Sequence, residues 1–211
     1  MKTKWIVVTG LDGSGKTHLV KSLEDHYKNK GLKVTSLHLP NDIHLQKDVL
    51  PVLNDPYSDR LLFALDNRIV AARINQWLME QKYDIIISQR GWLDSYVHGR
   101  CQGFDYEFIN GLNRFQDLPK ADIMIHLVAD AKIAYDRIKD DPDADKFEYL
   151  KYIVKQEKMT RQAYEDLMNE DPGMYPLFGA KNILIDTTEI TIAETFKKAI
   201  DFLESLENNS N

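Results

Sequence analysis

The sequence predicts an α/β fold, a parallel sheet covered by helices on both faces. Three observations carry that expectation. Five short apolar runs punctuate the 211 residues. Longer segments with helical apolar spacing lie between and after them. A glycine-rich turn joins the first run to the first such segment. Short strands that are apolar throughout are those buried on both faces, and a helix after each strand is the crossover that parallel pairing needs.

Trp5-Ile6-Val7-Val8-Thr9 reads as the first strand, and Thr17 to Lys30 as the helix after it, stopped by Gly31. Lys33 to Leu39 is the second strand, closed by Pro40. From Ser58 to Gln81, the apolar marks Leu61, Leu62, Leu65, Ile69, Ala72 and Leu78 recur at helical spacing. Asp84 to Ser88, Ile123 to Val128 and Asn182 to Asp186 are the remaining strands, with helices that include Phe147 to Asn169 and Ile192 to Leu206. In such sheets ligands sit beyond the carboxyl ends of the strands, so the residues after each strand are the candidate site.

Bulk composition narrows the function classes. Apolar residues make up 43% and charged residues 28%, enough for one core under an ordinary soluble surface. A net charge of -6 argues against a polymeric nucleic-acid partner, which needs a basic footprint. The single cysteine, Cys101, excludes a disulfide framework within the chain and reads as a buried small residue in a reducing compartment. No apolar stretch approaches the ~20 residues that span a bilayer and no leader pattern opens the sequence, so the expectation is a cytoplasmic protein without a membrane partner.

The turn after the first strand carries the chemistry. Gly10-Leu11-Asp12-Gly13-Ser14-Gly15-Lys16-Thr17 meets the pattern G-x-x-x-x-G-K-S/T. Its glycines let backbone N–H groups turn onto phosphate oxygens, and the helix behind them adds its positive end. Lys16 reaches the β/γ-phosphates as a point charge, and the Thr17 hydroxyl holds Mg2+. Asp12 is either a turn former or an acid beside the metal and the transferred group. No Asn-Lys-x-Asp guanine motif accompanies the loop. The histidines lack metal-ligand spacing; His126, within a strand, reads as core.

The loop resembles that of the thymidylate kinase family, G-x-D-G-x-G-K-S/T, and the likeness continues over about residues 5 to 205. Leu61-Leu62-Phe63-Ala64 with Asn67-Arg68 is similar to the family's Leu-Leu-Phe-Ala-x-Asp/Asn-Arg helix. Ser88-Gln89-Arg90 and Asp94-Ser95 lie where the family has Asp-Arg-Tyr and a serine. Leu118 to Asp122 resembles the entry to the fourth strand, Asp145-Lys146-Phe147-Glu148 the end of a lid, and Ile185-Asp186-Thr187 the adenine loop. The resemblance implies a P-loop NTPase fold with sheet order 2-3-1-4-5 and one domain over residues 1–207 with a lid at about 138–147; the polar residues 208–211 read as a frayed tail. It also implies ATP and Mg2+, a nucleoside-type acceptor, and often a homodimer. Gly10, Gly13, Ser14, Gly15, Lys16 and Thr17, with Arg137 and Thr187, would bind the donor. Asp12 and Thr17 would hold the metal. Asp12, Lys16, Arg90 and Lys146 would act in catalysis, and Asp42, Phe63, Arg68, Arg90, Asp94 and His98 would meet the acceptor.

The sequence departs from the family on the acceptor side. Gln89 replaces the carboxylate before Arg90. Arg90 remains, either as a bidentate partner for an acceptor phosphate or as an ordinary ion pair. After the second strand, Asp42 stands where many members carry a phosphate-gripping arginine, and could be a helix cap or a base for a 5′-hydroxyl. The family's Ala-Tyr-Gln falls at Val97-His98-Gly99, so the glutamine is lost. Phe63 and Arg68 are five apart where the family spaces them by four, so one is misassigned or the helix bulges. Trp92 and Tyr96 are further aromatic candidates, and Arg137, Lys139 or Lys146 should supply the lid's cation. Three readings stay open: a kinase for dTMP or a close analogue, a deoxynucleoside kinase with a carboxylate base, and a nucleotide-binding paralogue with weak turnover.

Overall fold

Five parallel strands form one sheet: β1 (Lys4–Gly10), β2 (Val34–His38), β3 (Ile85–Gln89), β4 (Ile123–Val128) and β5 (Lys181–Asp186). Their order is β2-β3-β1-β4-β5, as expected. The computed structural model describes residues 2–41, 48–142, 147, 149–168 and 181–208. The helices are α1 (Lys16–Asn29), α2 (Pro56–Glu80), α3 (Trp92–Cys101), α4 (Tyr106–Asn113), α5 (Ala131–Ile138), α6 (Leu150–Met168) and α7 (Ile192–Asn208).

Alternation along each strand divides the core between the two faces. Trp5, Val7, Ile86 and Met124 face one side, where they pack with residues of α2, α3 and α6 such as Ile74, Leu93 and Tyr152. Ile6, Val8, Ile87 and Ile125 face the other, against Leu19 and Leu23 of α1 and Leu203 of α7. His126 and Cys101 are buried, as the sequence suggests, and burial pushes the Cys101 thiol up to about 12.

Helix boundaries differ from the sequence reading where caps act. α2 starts two residues earlier than Ser58, because Asp55 accepts from Ser58 N (2.9 Å) and Pro56 takes the first turn. It ends at Gln81, which adopts a left-handed φ of 46°. At the other end of the chain, Asn208 closes α7, so only 209–211 of the expected tail lie outside the described residues.

Strand register sets the site. His38 of β2 and Val8 of β1 both lie level with Gln89 of β3. Gly10 lies level with Leu127, and Val128 with Asp186. The carboxyl ends therefore finish along one edge, bringing His38, Arg90, the glycine-rich loop and Thr187 to one mouth.

Candidate active site

The loop between β1 and α1 is shaped by close approaches. Gly10 has φ 127°, and a Cβ there would lie 1.9 Å from Leu127 O; Gly13 has φ 79°, and a Cβ there would lie 2.1 Å from Ala134 O. Any side chain would push the loop off β4 or α5. Leu11, Ala129, Ala134 of α5 and Ile153 of α6 form a small apolar base under it.

Within the loop, Lys16 is 4% exposed, and its Nζ donates to Gly10 O (2.9 Å), Leu11 O (2.8 Å) and Asp12 Oδ1 (2.9 Å). Arg90, at the end of β3, donates through Nη2 to the same Oδ1 at 2.6 Å. Its Nη1 lies 2.8 Å from His38 Nε2 and donates to Leu39 O (3.3 Å). Burial alone would raise the Asp12 carboxyl. Arg90 and Lys16 together outweigh that and hold it well below the usual carboxylate range. Burial, reinforced by Arg90, lowers His38 to about 4, so its neutral Nε2 accepts from the guanidinium. Arg90 itself holds φ 68°, a left-handed conformation uncommon outside glycine, fixed by its N–H bond to Val8 O (2.7 Å).

A second layer comes from α3 and α6. Gln156, 1% exposed, donates to Asp12 Oδ2 (3.2 Å) and accepts from Asp12 N (3.4 Å). Its Nε2 also lies 3.3 Å from His98 Nε2, and His98 Nδ1 lies 2.8 Å from Tyr152 Oη. One tautomer satisfies this chain: the proton sits on Nδ1, and Nε2 accepts from the amide. Burial keeps His98 neutral, down at about 3. Asp94 works beneath the loop, where Oδ2 accepts from Thr9 Oγ1 (2.6 Å) and Gly91 N (2.8 Å), and Oδ1 from Gly10 N (3.5 Å). Its carboxylate thus ties β1 to the start of α3.

Asp12, Lys16, His38, Arg90, Asp94 and His98 line one cleft of about 1190 Å3, larger than the ~300–1,000 Å3 usual for a single small ligand. On the donor side it is bordered by Gly13 to Thr17, Arg137 and Thr187. Arg137 donates to Thr187 O (2.8 Å) and Gly13 O (3.3 Å), and Thr187 Oγ1 donates to Ser14 O (3.1 Å). Ser14 Oγ is buried with no hydrogen-bond partner among the described residues, which suits a loop built to receive phosphate oxygens. No three His, Cys, Asp or Glu side chains among the described residues gather as a metal cluster. The Thr17 hydroxyl would offer a divalent ion one ligand beside the phosphate oxygens. Asp12 Oδ2 accepts from Gln156, and a carboxylate oxygen has a second lone pair that a divalent ion would use.

On the acceptor side, Phe63, Asn67, Gln89, Arg90, Asp94 and His98 line the cleft. Arg68 does not. Its guanidinium points to Asp117, 4.0 Å away, because residue 68 lies off the helix face shared by 63 and 67. The five-residue spacing thus resolves without a bulge, with Asn67 facing the cleft. Trp92 and Tyr96 also lie outside it. Trp92 packs edge-on to Trp5, and Tyr96 on Tyr106. Lys139 pairs with Asp136 on the surface (2.9 Å). Asp42 and Lys146 lie outside the described residues. Sequence reasoning missed Gln156, Tyr152, His38, Asp66 and Arg60. Asp66 accepts from Asn41 N (3.0 Å to each oxygen), tying α2 to the chain after β2. Only Arg60 and Asp66 offered a sequence signal, as charges among the apolar marks of α2.

The model of the family described as thymidylate kinase matches residues 8–188. The chain is 33% identical over 174 residues to a probable thymidylate kinase 1 of Saccharolobus solfataricus, covering 79% of this chain and 84% of that protein. It is 30% identical over 203 residues to a probable thymidylate kinase of Methanococcus aeolicus, covering 93% and 94%. Among solved structures, thymidylate kinase from Ehrlichia chaffeensis superposes with a TM-score of 0.69 over 97% of this chain and 99% of that one, at 18% identity, a likeness of fold. The glycine-rich loop, with Arg90 bound to its Asp12 in one cleft, thus joins a family match over most of the sequence, and the chain belongs to the thymidylate kinase family.

Proposed function

We propose that the chain transfers the γ-phosphoryl group of ATP to thymidylate, giving dTDP and ADP. The observation that carries this reading is Arg90. Its guanidinium lines the cleft beside the donor loop, held by Asp12 and His38, where a planar donor fork suits an acceptor phosphate.

The loop N–H groups, Lys16 and Ser14 Oγ would hold the donor phosphates, with Arg137 and Thr187 at the nucleoside side. Thr17 would hold Mg2+, which when bound neutralises charge on the donor phosphate oxygens. Arg90 orients the acceptor phosphate for in-line attack. Asp12 fixes both Lys16 and Arg90, so the two cations that grip donor and acceptor share one anchor. Lys146 of the lid would add a cation as the cleft closes. A deoxynucleoside kinase needs a carboxylate that takes a proton from a hydroxyl; Asp42, the sequence's candidate for that base, lies outside the described residues, and Asp12 fits the task poorly. Its carboxyl is held anionic far below neutral pH, and both oxygens already accept protein donors.

The same reading makes residues 1–207 one catalytic domain with its lid at about 138–147, working in the cytoplasm. Tyr57, Leu61, Leu65 and Ile69 form an exposed apolar stripe along α2 that suits a homodimer, and sedimentation of a Leu61→Glu, Leu65→Glu variant tests it by a shift to monomer. The function is tested by ADP release with ATP and Mg2+ across nucleosides and their monophosphates. Turnover of thymidylate is expected; turnover of unphosphorylated nucleosides alone overturns the proposal.

A further inference from the structure

Arg161 of α6 and Asp186 at the end of β5 form an ion pair that the phosphoryl-transfer reading leaves unused. Neither lines the cleft. Arg161 Nη2 donates to Asp186 Oδ2 at 2.9 Å, and Nε donates to Glu157 Oε1 at 3.1 Å, one turn back on the same helix. Nε and Nη2 form one edge of the guanidinium, so Glu157 sets the plane in which Arg161 meets Asp186. The two side chains are 37% and 45% exposed, and an ion pair so open to water adds little to stability. Its value lies in where it holds Asp186.

The other oxygen of Asp186 shapes the turn after β5. Oδ1 accepts from Thr188 N (3.0 Å) and Thr188 Oγ1 (2.5 Å). Thr188 Oγ1 accepts in turn from Asp130 N (2.9 Å), where α5 begins. At the far end of α5, Arg137 donates to Thr187 O (2.8 Å) and Thr188 O (3.3 Å). The turn is therefore held from both ends of α5 and, through Asp186, from α6. Among the described residues, Arg161 makes the one polar bond from α6 to it. The glycine-rich loop, by contrast, takes its shape from close backbone approaches to β4 and α5, which Arg161 does not touch.

We propose that Arg161 is a positioning residue for the donor nucleoside: by clamping Asp186 it keeps Thr187, Thr188 and Arg137 in place at the nucleoside side of the donor site. The proposal rests on that side of the cleft taking the nucleoside of ATP. Arg161 acts only through Asp186, so its removal loosens the nucleoside end and spares the phosphate end.

The test is calorimetric binding of ATP and of inorganic tripolyphosphate, each with Mg2+, to the full chain and to Arg161→Met, Arg161→Lys and Asp186→Asn variants, with thermal unfolding checking the fold. Tripolyphosphate carries the phosphates without the nucleoside. Arg161→Met should weaken ATP roughly 3- to 5-fold, the scale of one part-exposed ion pair, and leave tripolyphosphate as in the wild type. The KM for ATP should rise by the same factor, with kcat and the acceptor KM unchanged. Asp186→Asn, whose amide oxygen still accepts from Thr188 but whose NH2 meets Arg161 donor to donor, should behave alike. The double variant should bind ATP no more weakly than the weaker single one, because the two residues act as a unit. Arg161→Lys keeps the charge without the planar edge and should fall between; it carries the test if the methionine variant does not fold. Unchanged ATP binding, equal weakening of ATP and tripolyphosphate, or additive losses in the double variant overturns the role of Arg161. The wild type separates the two readings. A preference for ATP over tripolyphosphate that survives in every variant, with thymidylate turned over, defeats Arg161 alone. A wild type that binds both equally, or turns over no monophosphate, defeats the placing of the donor and the inference with it.

Discussion

The two halves of the cleft are built in different ways. The donor half is contiguous: Gly10 to Thr17 supply the turn, the cation and the hydroxyl in eight residues, at the hinge between β1 and α1. The acceptor half is assembled from afar. Arg90 follows β3, Phe63 and Arg60 come from α2, His98 from α3, and Gln156 from α6. Asp12 joins the halves, since it belongs to the loop yet its carboxylate is shared with Arg90 and Gln156. A contiguous site is fixed by local backbone geometry, whereas an assembled one can exchange side chains between helices while the fold persists.

The sharpest way to break the donor half is Lys16→Ala. Lys16 is the loop's point charge for the transferring phosphoryl group, and removing such a contact should lower kcat by at least ~1,000-fold. Quenched-flow or steady-state ADP assays check it, and near-wild-type turnover refutes the loop's role. Arg90→Ala breaks the acceptor half. Loss of the guanidinium should raise the KM for the acceptor roughly 100-fold while leaving ATP affinity within a few-fold, since Arg90 touches the donor loop only through Asp12. Equal loss for donor and acceptor would place Arg90 in the loop's scaffold instead.

This contrast explains what could be read in the sequence. The sheet and the loop were legible because each depends on neighbours along the chain: apolar runs for β1, β3 and β4, and a motif whose glycines have fixed spacing. The acceptor half depends on which helix face turns inward. Phe63 and Arg68 sit on one amphipathic segment, and the pattern does not say which of Asn67 and Arg68 faces the cleft. Gln156 looks like any polar residue of a long helix, and only the fold brings it to Asp12, 144 positions away. Arg60 carries a signal, a charge one turn before Phe63, but its packing against Gly99 of another helix is set by the fold.

Acid should destabilise both halves together. His38, His98 and His126 are held, by burial first, at about 4, 3 and 3, below the ordinary value of 6.5. Between those values and 6.5 the unfolded chain binds protons that the folded chain refuses, so stability falls as pH falls through that window and is fully present above 6.5. At about pH 5 each such histidine should cost roughly 2 kcal/mol. Urea unfolding at pH 7 and pH 5 measures the sum, and His126→Leu, which does not line the cleft, should remove one histidine's share of the difference. An identical pH dependence in that variant overturns the assignment. Gln156→Leu tests the seam between the halves. Losing its bonds to Asp12 and His98 should cost roughly 1–3 kcal/mol of stability. Because Gln156 acts through Asp12, it should also raise the acceptor KM more than the KM for ATP.

Gln89→Asp has the smallest expected effect and is the most informative about why the halves diverged. Gln89 ends β3 level with His38 and Val8, beside Arg90, and lines the cleft. A carboxylate there would face the metal side held by Thr17 and would also compete with Asp12 for Arg90. If the Gln serves to leave Arg90 wholly to Asp12, the aspartate should lower the Mg2+ concentration for half-maximal rate by a few-fold and raise the acceptor KM by a similar factor, since one guanidinium would then be divided between two carboxylates. A change in Mg2+ dependence without any change in acceptor KM would separate the two effects and show that Arg90 stays with Asp12 whatever stands at position 89. No change in either would mean that residue 89 touches neither the metal nor the arginine, leaving Arg90 to the Asp12 carboxylate that it shares with Lys16.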